Sequence, residues 1–187
     1  MKINWIKKMA AAAAVVCVAG IAQATPITGN IGFSGAVQLN STTANTATAA
    51  TAWYNTVAAS PSGSFVGLVA NGAAVSMAGA TPWNFTSGAL ANFWSVDGFT
   101  FNLASSSVFS QVGGFLDVLL VGTVTGNGFA ATTFDGSFQV ADPASGGPQT
   151  FTERLSFNSV PDGGTTVVLL GLGLLSLGLF RKKMLTA

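Results

Sequence analysis

Hydrophobic and polar residues alternate along much of this chain. In "ITGNIGFSGAVQL", residues 27 to 39, Ile27, Ile31, Phe33, Val37 and Leu39 fall on odd positions, with Gly29 and Gly35 completing the row, and the even positions are polar or small. A period of two places one set of side chains on one face of an extended backbone, so the pattern predicts a half-buried strand. "FTFNL" at 99 to 103, "GSFQV" at 136 to 140 and "FTERLSF" at 151 to 157 repeat it. "FLDVLLVGTV", 115 to 124, is almost continuously apolar and predicts a central strand buried on both faces. Gly, Ser, Asn and Asp separate the runs, and Asp97-Gly98 and Asp135-Gly136 are predicted turns. Together these features predict an all-β fold, a single antiparallel β-sandwich or jelly-roll-like domain.

Two stretches break the alternation. "STTANTATAATA", residues 41 to 52, has no large apolar side chain to anchor a core, and its Thr and Asn offset the helix propensity of its alanines. It predicts a surface loop. Beyond it come spaced aromatics, Trp53, Tyr54, Trp83, Phe85, Phe93 and Trp94, separated by pieces rich in Gly and Ser.

The two ends follow other patterns. Lys2, Lys7 and Lys8 precede the apolar run "MAAAAAVVCVAGI", and Ala22 and Ala24 supply small residues at the two positions a signal peptidase reads. Residues 1 to 24 are therefore predicted to be a signal peptide, cleaved so that Thr25 becomes the first residue. The only cysteine, Cys17, lies within that run, and Val16 before it is larger than the residue a lipoprotein signal requires. At the other end, "VPDGGTTVVLLGLGLLSLGLFRKK", residues 160 to 183, joins a turn-forming knot to sixteen uncharged residues, Thr165 to Phe180, and then to Arg181, Lys182 and Lys183. Sixteen helical residues reach roughly 24 Å, short of a ~30 Å hydrocarbon core, a difference that snorkelling cations and bilayer thinning absorb. Residues 165 to 180 are thus predicted to form a transmembrane helix with the cations on the cytoplasmic side. The domain between the ends, residues 25 to 159, would lie outside.

The three-part order of the tail, together with Val160-Pro161-Asp162-Gly163-Gly164, resembles the PEP-CTERM sorting signal, in particular its Val-Pro-Asp-Ser-Gly variant with Gly163 in place of Ser. The resemblance implies a substrate of an exosortase, a membrane-embedded cysteine protease that cuts near the motif of proteins exported by Gram-negative bacteria that make extracellular polysaccharide. It adds the exosortase-like protease and extracellular polysaccharide to the partners expected from the two ends, a signal peptidase and the membrane. The implied route is export through the cytoplasmic membrane, transient anchoring, then the cell surface or the medium. Pro161 and the two glycines suit such a site, because they oppose helix and keep the backbone extended. A GPI signal does not normally end in a basic cluster, and the Leu-Pro-x-Thr-Gly pattern of a Gram-positive sortase substrate is absent.

Composition narrows the chemistry. Between Thr25 and Val160 there is no His, Lys or Cys, and Arg154 stands against Asp97, Asp117, Asp135, Asp142 and Glu153, a net charge of −4. Nucleic-acid binding, which needs clustered Lys and Arg, is not expected. Nor is a disulfide framework. Nucleophile systems that depend on His or Lys lack their base, and zinc lacks its nitrogen and sulfur ligands. No cofactor, metal or catalytic residue is assigned, and the chain is not expected to be an enzyme. Carboxylate-dependent glycoside hydrolysis remains as a minor alternative, with Glu153 and Asp117 the acids to test. Glu153 shares the alternating face of Phe151, Leu155 and Phe157 and is explained as an inward charge at an edge strand or bulge, or as a partner of Arg154 at a strand end. Oxygen-only calcium binding by the acids has no supporting spacing. The expected role is that of a cell-surface or extracellular-matrix structural protein, associated with exopolysaccharide or biofilm, and the principal alternative is carbohydrate binding through exposed aromatic faces at Trp53, Tyr54 and Trp83.

Overall fold

The structure, a computed structural model, describes residues 24–143 and 149–157. Eight strands form one sheet: β1 (Asn30–Leu39), β2 (Ala49–Ala59), β3 (Trp83–Asn84), β4 (Leu90–Val96), β5 (Phe99–Val112), β6 (Phe115–Gly126), β7 (Phe129–Ala141) and β8 (Gln149–Phe157). The order across the sheet is β3-β2-β1-β8-β7-β6-β5-β4, and every pairing is antiparallel. All neighbours are consecutive in the chain except β1 and β8, which join its two ends. That is a meander, so the predicted all-β antiparallel domain is realised as a single sheet without the crossing connections of a jelly roll.

The sheet is rolled. Phe33 on β1 meets Phe101 on β5 at 5.5 Å between ring centroids, edge to face, although three strands separate them along the sheet. The open side between β2 and β4 is closed by the irregular segment after β2. Ala73 and Val75 exchange backbone hydrogen bonds with Ala58 and Thr56 of β2, while Ser76 and Ser95 of β4 bond each other reciprocally at 2.9 and 3.0 Å. Lower down, Phe85 donates to Thr48 and Ser106 of β5 donates to Ser87. Rolling puts every inward residue into one core, in which Phe33, Phe65, Trp83, Phe85, Phe93, Trp94, Phe101, Phe134 and Phe138 are fully buried.

Several sequence-based expectations change in this setting. Alternation correctly marks β1, β5, β7 and β8, but the apolar run 115 to 124 is not covered on both faces. In β6 Leu116, Val118, Leu120 and Val124 point inward, whereas Phe115, Leu119 and Val121 face out and are exposed. A single sheet has no second layer to cover its convex side. Asp97-Gly98 does form the β4–β5 turn, with φ of 44° and 81° as a type I′ hairpin requires. Asp135-Gly136 does not turn; it lies within β7, where Gly136 pairs with Leu120 and Leu155. A Cβ at Gly136 would run into the Leu155 side chain, so this glycine provides space for packing. The stretch 41 to 52 is not simply a loop either. It contains the 3-10 turn Ala44–Thr46 and the start of β2, and Ala44, Ala47 and Ala50 are buried. Gln111 donates to the carbonyls of Ala44 and Ala47 at 2.6 and 2.7 Å, fixing this small-residue cap over one end of the barrel.

Candidate functional site

The convex face of β1, β8, β7 and β6 carries the exposed polar groups of the domain, and the strand register arranges them in rows. One row runs Ser34, Thr152, Gln139, Asp117 and Ser110; the next runs Gly32, Arg154, Ser137, Leu119 and Ser107. An open cleft of about 750 Å³ crosses these rows where the end of β2 rises beside them, lined by Asn30, Ser34, Ser60, Gln139, Thr152 and Arg154 among others. Hydroxyls, amides and one guanidinium line it beside Ile31, Phe33, Ala59 and Leu155, so hydrogen-bonding and apolar groups are mixed along it.

The acids are dispersed. Asp97 sits in the β4–β5 turn. Asp142 accepts the Ala44 N–H at 2.8 Å and so ties the 3-10 turn to the end of β7. Asp117 accepts from Gln139 Nε2 at 3.3 Å, while its other oxygen is buried without a hydrogen-bond partner. Asp135 pairs with Val121, four residues along β6 from Asp117, or about 13 Å at strand spacing. That exceeds the ~10 Å upper limit for two carboxylates that share a glycosidic bond. Among the described residues no three of His, Cys, Asp or Glu gather as a metal site. Glu153 pairs with Phe33 on one side and Phe138 on the other. Its strand, β8, is therefore interior to the sheet, and the edge-strand explanation of this residue does not hold; its side chain lies outside the described groups.

The aromatic candidates fare unequally. Trp83 is 0% exposed, in contact with Phe85, Phe93 and Phe138, so it presents no face to a ligand. Trp53 is partly buried against the core, its ring 5.0 Å from Phe151 and its Nε1 donating to the Ala80 carbonyl. Tyr54 is 46% exposed and donates to Gln38 Oε1 at 2.9 Å. The aromatics most open to solvent are two that alternation hides, Phe109 at 70% and Phe115 at 63%. An earlier bulge at Ala104, between Leu103 and Ser105, reverses the inside–outside order of β5 and so turns Phe109 outward, a second bulge falls at Phe109 itself, and Phe115 follows the Gly113-Gly114 turn. Tyr54, Ala36, Thr150, Ala141, Phe115 and Val112 form one further outward row. Two aromatic rings thus flank a floor of small residues.

Both ends of the described chain meet at the other end of the barrel. Phe157, the last residue of β8, pairs with Phe134, and Thr25 and Pro26 lie against Ala130. Thr25 is the residue predicted to follow signal-peptide cleavage; Ala24 is described with it, whereas Ala22 lies outside the described residues. The predicted motif Val160, Pro161, Asp162, Gly163 and Gly164, the span 165 to 180 and the cluster Arg181, Lys182 and Lys183 also lie outside them. Among the described residues no helix is long and apolar enough to cross a membrane.

Comparison with known families bears on the tail. Residues 159–184 match the family model of the VPDSG-CTERM motif. The chain therefore carries a PEP-CTERM-like exosortase sorting signal, which indicates export to a cell-surface or extracellular destination and implies processing by an exosortase-like membrane enzyme. The match covers the tail alone and does not reach the barrel. No curated protein and no solved structure matches the chain.

Proposed function

We propose that this protein is a non-catalytic structural component of a polysaccharide-rich matrix at the cell surface, with the barrel as the part delivered and the tail as the part that delivers it. The observation that carries this reading is the sorting signal at residues 159–184. In the proposed sequence, a signal peptidase removes residues 1 to 24 during export, and residues 165 to 180 arrest the chain in the cytoplasmic membrane with Arg181, Lys182 and Lys183 inside. The exosortase-like enzyme then cuts near Val160 to Gly164. The barrel supports a structural role: its aromatic interior is filled by its own side chains, and Asp117 and Asp135 lie too far apart for paired carboxylate chemistry. During arrest the end bearing Phe109, Val112 and Phe115 faces away from the membrane, since the chain leaves β8 at the opposite end.

Mass spectrometry of the mature protein tests the reading. A C-terminus close to Val160–Gly164 is the expected result, and wild-type protein that keeps Ala187 at the envelope of a processing-competent cell would refute it. Two variants separate the parts of the signal. Neutralising Arg181, Lys182 and Lys183 should let the span misorient, whereas changing Pro161 and Asp162 should preserve topology and block cutting.

A second reading, carbohydrate binding, is favoured by the outward row from Tyr54 to Phe115. Four strand spacings separate these rings, roughly 19 Å along the curved sheet, which carries the row about halfway round the barrel, so each ring offers a separate outward face on which a sugar could stack. Binding of this kind would depend little on salt. Tyr54→Ala and Phe115→Ala should each weaken retention on the native polysaccharide, while Trp83→Phe should not alter it in folded protein. Retention unchanged by both of the first two would remove the glycan reading and leave the structural one standing.

A further inference from the structure

β5 outruns its neighbour on one side. It pairs with β6 along its whole length, from Phe99 opposite Gly126 to Val112 opposite Phe115, but its pairing with β4 reaches only as far as Leu103. Beyond that point the Ser106 N–H donates to the Ser87 carbonyl at 3.1 Å. Among the described residues, no backbone group of 107–112 is hydrogen-bonded on the side away from β6. Across the seam, β2 is covered, since Ala73 and Val75 bond to Ala58 and Thr56. The exposed edge of β5 is nonetheless held in place, because the Gln111 side chain donates to the Ala44 and Ala47 carbonyls and so anchors the strand without using its edge.

Edge strands are ordinarily guarded by charges, Lys above all, or by Pro. Residues 105–112, SSSVFSQV, contain neither. The bulge at Phe109 twists the strand, yet Phe109, Val112 and, across the turn, Phe115 are exposed by 70%, 67% and 63%. The two acids at this end are already engaged, Asp117 with Gln139 Nε2 and Asp142 with the Ala44 N–H.

We propose that residues 107–112 are a docking edge for a second copy of this chain, the two β5 strands pairing antiparallel about a twofold axis so that the sheets of two barrels run on into each other. An antiparallel edge is complementary to itself, because turning it by 180° sets donors against acceptors. Charge selects the same partner. Between Thr25 and Val160 the chain carries a net charge of −4, so two copies repel, and an edge without charges is a place where they meet without setting acid against acid. A strongly acidic or basic partner would find nothing on residues 105–112 to pair with. The area sets the strength. A Phe side chain offers about 150–250 Å², and with Val112 and the strand backbone the edge would bury roughly 500 Å² on each copy, about 1,000 Å² in all, below the ~1,200 Å² at which stable interfaces begin. The pair is therefore weak and forms where copies are concentrated. It goes beyond the structural reading, supplying cohesion between copies, and does not depend on where the tail is cut.

The test uses protein purified from cells that express the full chain, whether or not its tail has been removed. Sedimentation equilibrium between micromolar and millimolar concentration should show a monomer–dimer equilibrium. Phe109→Asp sets like charges together across the twofold axis and should raise the dissociation constant roughly tenfold or more, with an unchanged circular dichroism spectrum because the ring already lies in solvent. Tyr54→Asp alters an exposed aromatic on β2, away from this edge, and should leave association as in wild type. In cells, Phe109→Cys in a Cys17→Ala background should form a disulfide-linked dimer on oxidation, and Tyr54→Cys should not. Wild-type protein that stays monomeric throughout would overturn the proposal. So would a dimer that Phe109→Asp leaves intact, that Tyr54→Asp weakens equally, or that Tyr54→Cys links as readily. A monomer that loses retention on the native polysaccharide with Phe109→Asp would assign the edge to a glycan and overturn self-pairing. None of these results touches the sorting reading, which stands or falls on the mass of the mature C-terminus.

Discussion

Trp83 and Trp94 are both fully buried, but only one has its indole N–H satisfied. Trp83 Nε1 donates to Ser106 Oγ at 3.3 Å, while Trp94 Nε1 finds no acceptor in the barrel. Replacing either by Phe removes similar volume. Trp83→Phe also removes one of the two partners of the buried Ser106 hydroxyl, leaving it the longer contact to Ser87 Oγ at 3.5 Å, whereas Trp94→Phe removes a donor whose burial already costs about 1–3 kcal/mol. Urea denaturation should therefore find Trp83→Phe more destabilising than Trp94→Phe by roughly 1 kcal/mol. A glycine provides the opposite test. A Cβ at Gly122 would strike the Asn102 carbonyl and the Phe134 ring, so Gly122→Ala should cost about 1–3 kcal/mol through overpacking. Gly72, with open space around it, should tolerate the added volume and feel only its φ of +87°.

Among the elements, β6 departs most from its sequence. Its continuous apolar run was predicted to be covered on both sides, and the structure covers one. Leu119 and Leu120 are adjacent, yet Leu120 is buried while Leu119 faces solvent between Ser107 and Ser137. Leu120→Ala should cost about 2–5 kcal/mol. Leu119→Ala should cost about 1 kcal/mol or less. Equal losses in chemical denaturation would mean that a second layer covers the convex face. Strand and turn recognition succeeded where local chemistry decides the outcome. Asp97-Gly98 turns because two adjacent positive φ values suit those residues; Asp135-Gly136 has the same letters but stays extended because it is paired on both sides, with β6 and with β8. Bulges were not visible in the pattern. The one at Ala104, between Leu103 and Ser105, reverses the order of β5 and exposes Phe109, an aromatic that no counting of odd and even positions would place outside.

At the scale of the molecule, the pairing of β1 with β8 joins the two ends of the domain and closes the meander. Neither strand can be lost without leaving open edges on both sides of the gap and exposing the aromatic core. A chain of residues 25 to 159 should give a β-type circular dichroism spectrum and unfold in one transition, with a stability within about 1 kcal/mol of the longer precursor. Chains that lack residues 30–39 or stop before Gln149 should not fold. Because the closing contact is the longest in sequence, refolding should fall in the millisecond-to-second range of β proteins with high contact order. Stopped-flow Trp fluorescence would measure it.

The sequence by itself determined what depends on local composition and order. Period-two alternation set most strands, and the sorting signal of the tail indicates the destination, because a sorting enzyme reads short linear features. The lack of His, Lys and Cys between Thr25 and Val160 removed most nucleophilic and zinc chemistry before any geometry was known. Only the tertiary structure decided which faces were covered. Whether eight strands stack as two sheets or roll as one depends on closure between residues distant in sequence, such as Ser76 with Ser95 and Asn30 with Ser156. That closure buried Trp83, exposed Phe109 and Phe115, and drew Ala44, Ala47 and Ala50 into the core. It also set Thr25–Ile27 beside Ala130 and Thr132 of β7, a juxtaposition of residues more than a hundred positions apart that no local pattern records.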